Sequence, residues 1–122
     1  MHEMGIALEI IDIVNASVPE GADPGSVRKV HLQVGKLSAI VADSLRFCFE
    51  VATRDTPLAG AQLVIEELPV VALCNECGHR WTVEEPVFIC EKCDSGSLSI
   101  VSGRELDIRS IEITDEDQSH AV

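Results

Sequence analysis

Four cysteines in the second half of the chain have the spacing of a metal site. Two residues separate Cys74 from Cys77 and Cys90 from Cys93, and twelve residues separate the two pairs. A C-x-x-C turn directs two thiolates at one point, and two such turns complete a tetrahedron around zinc. Because all four positions of that shell are thiolates, we predict a structural zinc site. A redox dithiol is the alternative, but such motifs usually occur singly near a βαβ pattern.

The chain start, MHEMGIALEI, is a second candidate metal site. The α-amine of Met1 and the amide and imidazole nitrogens of His2 can reach one ion, and the amide of Glu3 lies close by. Nickel(II) and copper(II) favour square-planar nitrogen and oxygen donors, whereas zinc prefers a tetrahedron. The residues therefore indicate a nickel or copper clip. The plain alternatives are a solvated terminal histidine and a Glu3 that only complements the helix dipole.

Three further residues have side chains that could take part in chemistry. His79 lies two residues past Cys77, and it could tune the zinc site or exchange into it. A histidine that contacts the ligands without binding zinc, or one on the surface, is the alternative. Cys48 lies on the apolar face of a predicted helix and is expected to be a small buried hydrophobe. His31 lies on the polar side of a predicted strand, and no role is expected for it.

Two helices are predicted to carry these groups. The first spans residues 4–18, with apolar side chains on one face at helical spacing. The second follows Asp43 or Ser44, either of which is suited to cap it. The predicted apolar faces consist of Met4, Leu8, Ile11 and Val14 in the first helix, with Ala7, Ile10 and Val18 beside them, and of Leu45, Cys48, Phe49 and Ala52 in the second.

Three strands are predicted around these helices. Residues 27–35 alternate strictly between apolar and polar, residues 61–68 form a shorter strand, and residues 104–113 form a third. The apolar residues change phase within the third strand, which a bulge would explain. The predicted fold class is therefore α+β, a small sheet of about three strands with two helices that carries an inserted zinc-ribbon-like module.

The order of these elements predicts the domain organisation. Residues 1–68 and 102–114 are expected to form one α/β domain, and residues 69–101 an inserted zinc domain, because strands precede and follow the cysteine segment. Residues 115–122 are polar and are expected to be a disordered tail.

Composition excludes several classes of partner. The formal net charge is -12, and the cysteine segment has two basic residues against five acidic ones. Such a surface repels phosphate, so nucleic acid and anionic membrane are not expected as partners. No signal peptide or membrane-spanning stretch is visible, so a cytoplasmic location is expected. No nucleophile paired with a base and no phosphate-binding loop is present, so an enzyme is not expected.

The opening MHE, the segments VGKLSAI, SLRFCFEVA and LVIEELPVVALC, the paired cysteines and the strand LDIRSIEI together carry a family pattern. Over nearly the whole chain up to about Ile113, the sequence resembles the HypA/HybF nickel metallochaperones, which serve maturation of [NiFe]-hydrogenases and, in some bacteria, of urease. A second histidine that some members carry after the last cysteine pair is absent here, where the chain reads Asp94-Ser95.

The resemblance implies a function for both metal sites. It implies that His2 is the essential nickel ligand, with Glu3 and the amine of Met1 contributing, and that Ni(II) is a transient cargo. It implies structural Zn(II) at the four cysteines. The implied partners are the GTPase HypB, the [NiFe]-hydrogenase large subunit and, as an alternative, urease accessory proteins, with the chain acting as a monomer or weak homodimer. Two other functions stay open: a zinc-ribbon protein-interaction adaptor and a thiol-disulfide enzyme.

Overall fold

The computed structural model describes residues 3–114, so Met1, His2 and the predicted disordered tail lie outside the described residues. The helices and strands are α1 (Glu3–Ser17), β1 (Val27–Gly35), α2 (Ala42–Thr53), β2 (Gln62–Leu68), β3 (Val71–Cys74), β4 (Arg80–Thr82), β5 (Leu98–Ser102) and β6 (Leu106–Ile113). They form one sheet of order β2-β1-β6 and another of order β4-β3-β5. The predicted α+β class, with two helices, a three-stranded sheet and a cysteine module, is confirmed.

The described residues form two compact units. The first contains residues 3–32, 40–65 and 108–114, and the second contains residues 33–39 and 66–107. The predicted limits of the inserted domain, residues 69–101, stay a prediction. No helix within residues 3–114 has the length and apolarity needed to cross a bilayer, and the predicted cytoplasmic location stays a prediction.

The core of the first unit forms where α1 packs against α2. The side chains of Ala7, Ile10 and Val14 are buried, whereas Met4 is 39% exposed and Leu8 is 50% exposed. The predicted face of α1 is therefore wrong at Met4 and Leu8, whereas Val14 is buried and Ile11 half-buried as part of it. Ala7 and Ile10, predicted beside that face, form the centre of the buried side. The helix is apolar on more than one side, and the side that carries the small Ala7 is the one that is buried. Because alanine lets a second backbone approach closely, its position favours that side for packing against α2.

The second helix begins one residue earlier than its predicted cap. Val41 is the N-cap residue of α2, and no side chain of its own caps the helix. The predicted cap at Asp43 or Ser44 is therefore wrong; Asp43 lies in the first turn, where its carboxylate accepts a hydrogen bond from Arg46 at 2.9 Å. Leu45 and Phe49 are buried as predicted, and the other two residues of the predicted face, Cys48 and Ala52, are half-buried.

The alternating pattern of β1 is confirmed, because Val30, Leu32 and Val34 are all buried. The strand ends at Gly35, where the backbone runs unusually close to another segment of the second unit. A Cβ atom at Gly35 would lie 2.0 Å from the carbonyl carbon of Gly103. In that unit, β3 pairs antiparallel with both β4 and β5. The predicted bulge in the third strand stays a prediction.

Candidate metal centres

The four predicted zinc ligands lie together in the second unit. Cys74 ends β3, Cys77 lies in the turn that follows, and Cys90 and Cys93 lie between β4 and β5. Their Sγ atoms are all within 4.8 Å of one another, which no other group of three or more metal-ligating side chains achieves within residues 3–114. The Sγ–Sγ distance is 3.5 Å between Cys74 and Cys93 and 3.6 Å between Cys77 and Cys90.

These distances fit a zinc ion. With Zn–S bonds of about 2.3 Å, the edges of a regular tetrahedron of sulfurs are about 3.8 Å long. When bound, zinc would be enclosed by the four thiolates and would fix the two turns to each other. A module this small has little apolar core of its own, so its fold depends on that link. The four thiols leave no position for substrate, so the arrangement supports structure and not catalysis.

The two C-x-x-C turns have the same hydrogen bonds. In each, the first cysteine is buried and the second exposed. The buried Cys74 Sγ accepts from the amides of Glu76 and Cys77 at 3.4 and 3.5 Å. The Cys90 Sγ accepts equivalent bonds, both of 3.4 Å, from the amides two and three residues later. Each buried sulfur thus faces two backbone amide donors, supplied by the turn that also carries the exposed cysteine of its pair.

A left-handed residue closes each turn. Gly78 has φ +78° and Asp94 has φ +61°. The Gly78 amide donates to the Cys74 carbonyl oxygen at 3.0 Å, and the Asp94 amide donates to the Cys90 carbonyl oxygen at 2.9 Å. Glycine adopts this conformation without steric cost, and aspartate tolerates it better than most residues.

The thiol protons are distributed unequally over the cluster. Amide hydrogen bonds, chiefly from Cys77, lower the pKa of Cys74 to about 6. The pKa of Cys93 is raised to about 12, because the thiol of Cys74 and desolvation outweigh a backbone hydrogen bond involving Ser95 that lowers it. The pKa of Cys77 is also raised: a backbone hydrogen bond involving His79 lowers it, but desolvation and the neighbouring thiols dominate. Of these three thiols, Cys74 is therefore the first to lose its proton, and zinc, when bound, would favour the thiolate form of Cys77 and Cys93 as well.

His79 contacts the site through its backbone and a neighbouring carboxylate through its ring. Its carbonyl oxygen accepts a hydrogen bond from the Cys74 amide at 2.8 Å. Its Nε2 lies 3.1 Å from Glu91 Oε2, and its ring stacks on Trp81 with centroids 5.3 Å apart. The His79 imidazole thus contacts the carboxylate of Glu91, the residue next to Cys90. A supporting role of His79 for zinc stays a prediction.

At the other candidate site, Glu3 is the residue that the structure describes. It begins α1 and is only 6% exposed. Its Oε2 accepts a hydrogen bond from the Val41 amide at 3.3 Å, 38 residues along the chain. Val41 is the N-cap residue of α2. The carboxylate thus joins the beginning of one helix to the beginning of the other, directly after the predicted nickel clip at Met1 and His2.

Comparison with known proteins identifies the family. The model of the family described as hydrogenase/urease nickel incorporation, metallochaperone, hypA matches residues 1–113. The chain belongs to the HypA family. A hydrogenase maturation factor HypA from Desulfosudis oleivorans is 58% identical over 113 residues, which cover 93% of this chain and 98% of the relative. One from Desulfatibacillum aliphaticivorans is 53% identical over 118 residues, covering 97% of this chain and 91% of that protein.

Solved structures agree with the fold. The solution structure of the Ni metallochaperone HypA from Helicobacter pylori matches with a TM-score of 0.65 at 23% identity, covering 93% of this chain and 97% of that one. Membership of the HypA family confirms a nickel metallochaperone of hydrogenase maturation and not an enzyme. It also confirms nickel, with a four-cysteine cluster that fits structural zinc.

One polar pair was not expected from the sequence. In the first unit, His31 on β1 makes a short contact through Nε2 with Oε2 of Glu112 on β6. This hydrogen bond is the main cause that holds the pKa of Glu112 below its usual value, with a smaller contribution from the charge of Lys29. The alternation of β1 placed His31 on the polar side, but nothing local in the sequence indicates which strand lies beside it.

Proposed function

We propose that this chain binds Ni(II) at its first three residues and delivers it for the maturation of [NiFe]-hydrogenase. The observation that carries the proposal is the match of a nickel-incorporation family model over residues 1–113, a range that includes His2 and Glu3. The proposed ligands are the α-amine of Met1, the amide and imidazole nitrogens of His2, and the amide nitrogen of Glu3.

Donor chemistry supports two separate metal sites in this chain. Zinc is matched by four thiols whose sulfurs lie within 4.8 Å of one another. Nickel(II) accepts a planar set of nitrogens, which a chain start with a histidine in second position offers. A cargo site made from a few terminal donors binds less tightly than a closed thiolate shell, so nickel can leave while zinc stays.

Delivery requires partners, because the proposed carrier does not itself hydrolyse a nucleotide. We propose that the GTPase HypB hydrolyses the GTP required for delivery and that the [NiFe]-hydrogenase large subunit receives the nickel. Urease accessory proteins are the alternative recipient, since the family description includes urease.

A His2→Ala variant tests the nickel site. The expected result is loss of nickel binding in calorimetric titration with unchanged zinc content, because the imidazole is the one side-chain nitrogen among the proposed ligands. His31→Ala is the matched control, since that histidine is paired with Glu112 in the first unit. X-ray absorption of the nickel-loaded parent should show planar nitrogen and oxygen neighbours without sulfur. Equal nickel affinity of parent and His2→Ala would refute the proposal.

The pH dependence gives an independent check. Nickel capture needs a neutral imidazole and a deprotonated amine, so affinity should weaken as pH falls through the usual histidine range. A nickel affinity that is constant from neutral to mildly acidic pH would count against these ligands.

A zinc-ribbon adaptor without a nickel role is the second candidate function. The observation in its favour is the run Val87-Phe88-Ile89, whose side chains are 55%, 39% and 49% exposed. Consecutive exposed apolar residues often mark a protein contact. If hydrogenase maturation in cells survives His2→Ala but is lost when these three residues become serine, the adaptor function is supported instead.

A further inference from the structure

The carboxylate of Glu3 is unusual because it is buried at the start of a helix. Glu3 is 6% exposed, and glutamate is rarely buried unless it has a partner. Its partner is a backbone amide, the N–H of Val41, 3.3 Å from Oε2. The side chain of Val41, the N-cap residue of α2, makes no capping hydrogen bond. The Glu3 carboxylate is therefore the side chain that accepts a hydrogen bond at the beginning of this helix.

Two helix beginnings meet at this carboxylate. Glu3 is the first residue of α1, and Val41 immediately precedes α2. The N-terminal end of a helix carries partial positive charge from amides that lack a carbonyl partner. A single carboxylate between two such ends is stabilised by both, which explains how it tolerates burial.

This arrangement leaves the backbone amide nitrogen of Glu3 in a different situation from its side chain. The first four amides of an α-helix have no acceptor within the helix, so coordination of a metal by that nitrogen breaks no helical hydrogen bond. Coordination by the carboxylate oxygen that faces Val41 would instead deprive the Val41 amide of its acceptor.

We infer that the Glu3 carboxylate is a positioning group and not a nickel ligand. By accepting the Val41 amide, it fixes the first residue of α1 to the beginning of α2. The amide nitrogen of Glu3, one of the proposed nickel ligands, is thereby held at a fixed place at the beginning of α1. This inference rests on the proposed nickel site at Met1 and His2. It gives the two groups of Glu3 different roles: the carboxylate positions the helix start, and the amide nitrogen binds nickel.

Two substitutions of Glu3 separate the positioning role from direct coordination. Glu3→Gln keeps a carbonyl oxygen that can accept from the Val41 amide but is a poor metal ligand, whereas Glu3→Ala loses the acceptor. Positioning predicts nickel affinity within about threefold of the parent for Glu3→Gln and a loss of about tenfold or more for Glu3→Ala. Glu9→Gln and Glu9→Ala are the matched controls, because Glu9 is an exposed glutamate of the same helix.

A second readout needs no nickel. In the metal-free protein, hydrogen exchange of the Val41 amide, followed by NMR, should accelerate in Glu3→Ala and stay close to the parent rate in Glu3→Gln. X-ray absorption of nickel-loaded Glu3→Gln should show the same number of nitrogen and oxygen neighbours as the parent.

Each outcome decides between the roles. Equal loss of nickel affinity in both Glu3 variants would show that the carboxylate is a ligand, and unchanged affinity in both would show that it has no role. If His2→Ala still binds nickel, the proposed nickel site fails, but the Val41 exchange rates still test whether Glu3 fixes the helix start.

Discussion

The left-handed turn at Gly78 should control how tightly the module holds zinc. Gly78 has φ +78°, and a Cβ atom there would meet nothing within 4 Å. Gly78→Ala therefore adds backbone strain without a steric clash. Alanine in the left-handed region costs about 1–2 kcal/mol. Because folding of a small zinc module is coupled to metal binding, this strain should weaken zinc affinity by roughly 5- to 30-fold.

The second C-x-x-C turn supplies an internal comparison. There the equivalent position is Asp94, a non-glycine residue with φ +61°. Asparagine, like aspartate, tolerates this conformation because its short polar side chain bonds locally. Gly78→Asn should therefore weaken zinc binding clearly less than Gly78→Ala does.

Competition for zinc against a chromophoric chelator measures these affinities. Gly96→Ala is the matched control, because Gly96 lies in the same module with nothing within 4 Å of its added Cβ and without a positive φ. It should tighten zinc binding by no more than about fivefold, because alanine at a compatible position restricts the unfolded chain. If Gly78→Ala and Gly96→Ala bind zinc equally well, the left-handed turn is not what prepares the cysteines.

Two further predictions concern the rest of the fold. Gly35→Ala should destabilise the protein by about 3 kcal/mol in urea unfolding, because its Cβ would lie 2.0 Å from the Gly103 carbonyl carbon. The clash would also displace two backbone hydrogen bonds, one of 2.8 Å from the Gly35 amide to the Glu105 carbonyl and one of 2.7 Å from the Leu37 amide to the Gly103 carbonyl. Gly5→Ala is the control: its Cβ meets nothing within 4 Å, so it should not destabilise the protein. His31→Ala should raise the pKa of Glu112 in an NMR titration. Since that pKa is lowered from 4.5 in the folded protein, the pair contributes to stability above pH 4.5 and loses this contribution as pH falls through the lowered value. An unchanged Glu112 titration would show that His31 is not the cause.

Local patterns predicted those parts of the molecule that local chemistry determines. The strict alternation of residues 27–35 is a property of the strand itself, so it predicts the buried side without knowledge of any partner. The spacing of the four cysteines likewise reflects a turn of fixed geometry, repeated twice. In the second turn, however, the left-handed position that Gly78 holds in the first turn belongs to Asp94. Because Asp94 is not a glycine, the sequence does not indicate this conformation.

The buried face of α1 could not be predicted in the same way. Apolar residues occupy several sides of this helix, so periodicity alone admits more than one face. The structure buries Ala7 and Ile10 and leaves Met4 and Leu8 exposed, because the position of α2 decides between the faces. That position depends on contacts between segments far apart in the sequence.

The beginning of α2 shows most clearly what a local reading misses. Capping rules search within a few residues for a short polar side chain, and they predicted Asp43 or Ser44. The acceptor that serves the residue before α2 is instead Glu3, 38 residues away. The same contact gives Glu3 an environment that composition did not predict: a carboxylate at a helix start is expected for the helix dipole alone, but burial against a second helix is not. Any account in which the Glu3 carboxylate moves to nickel must therefore also provide a new acceptor for the Val41 amide.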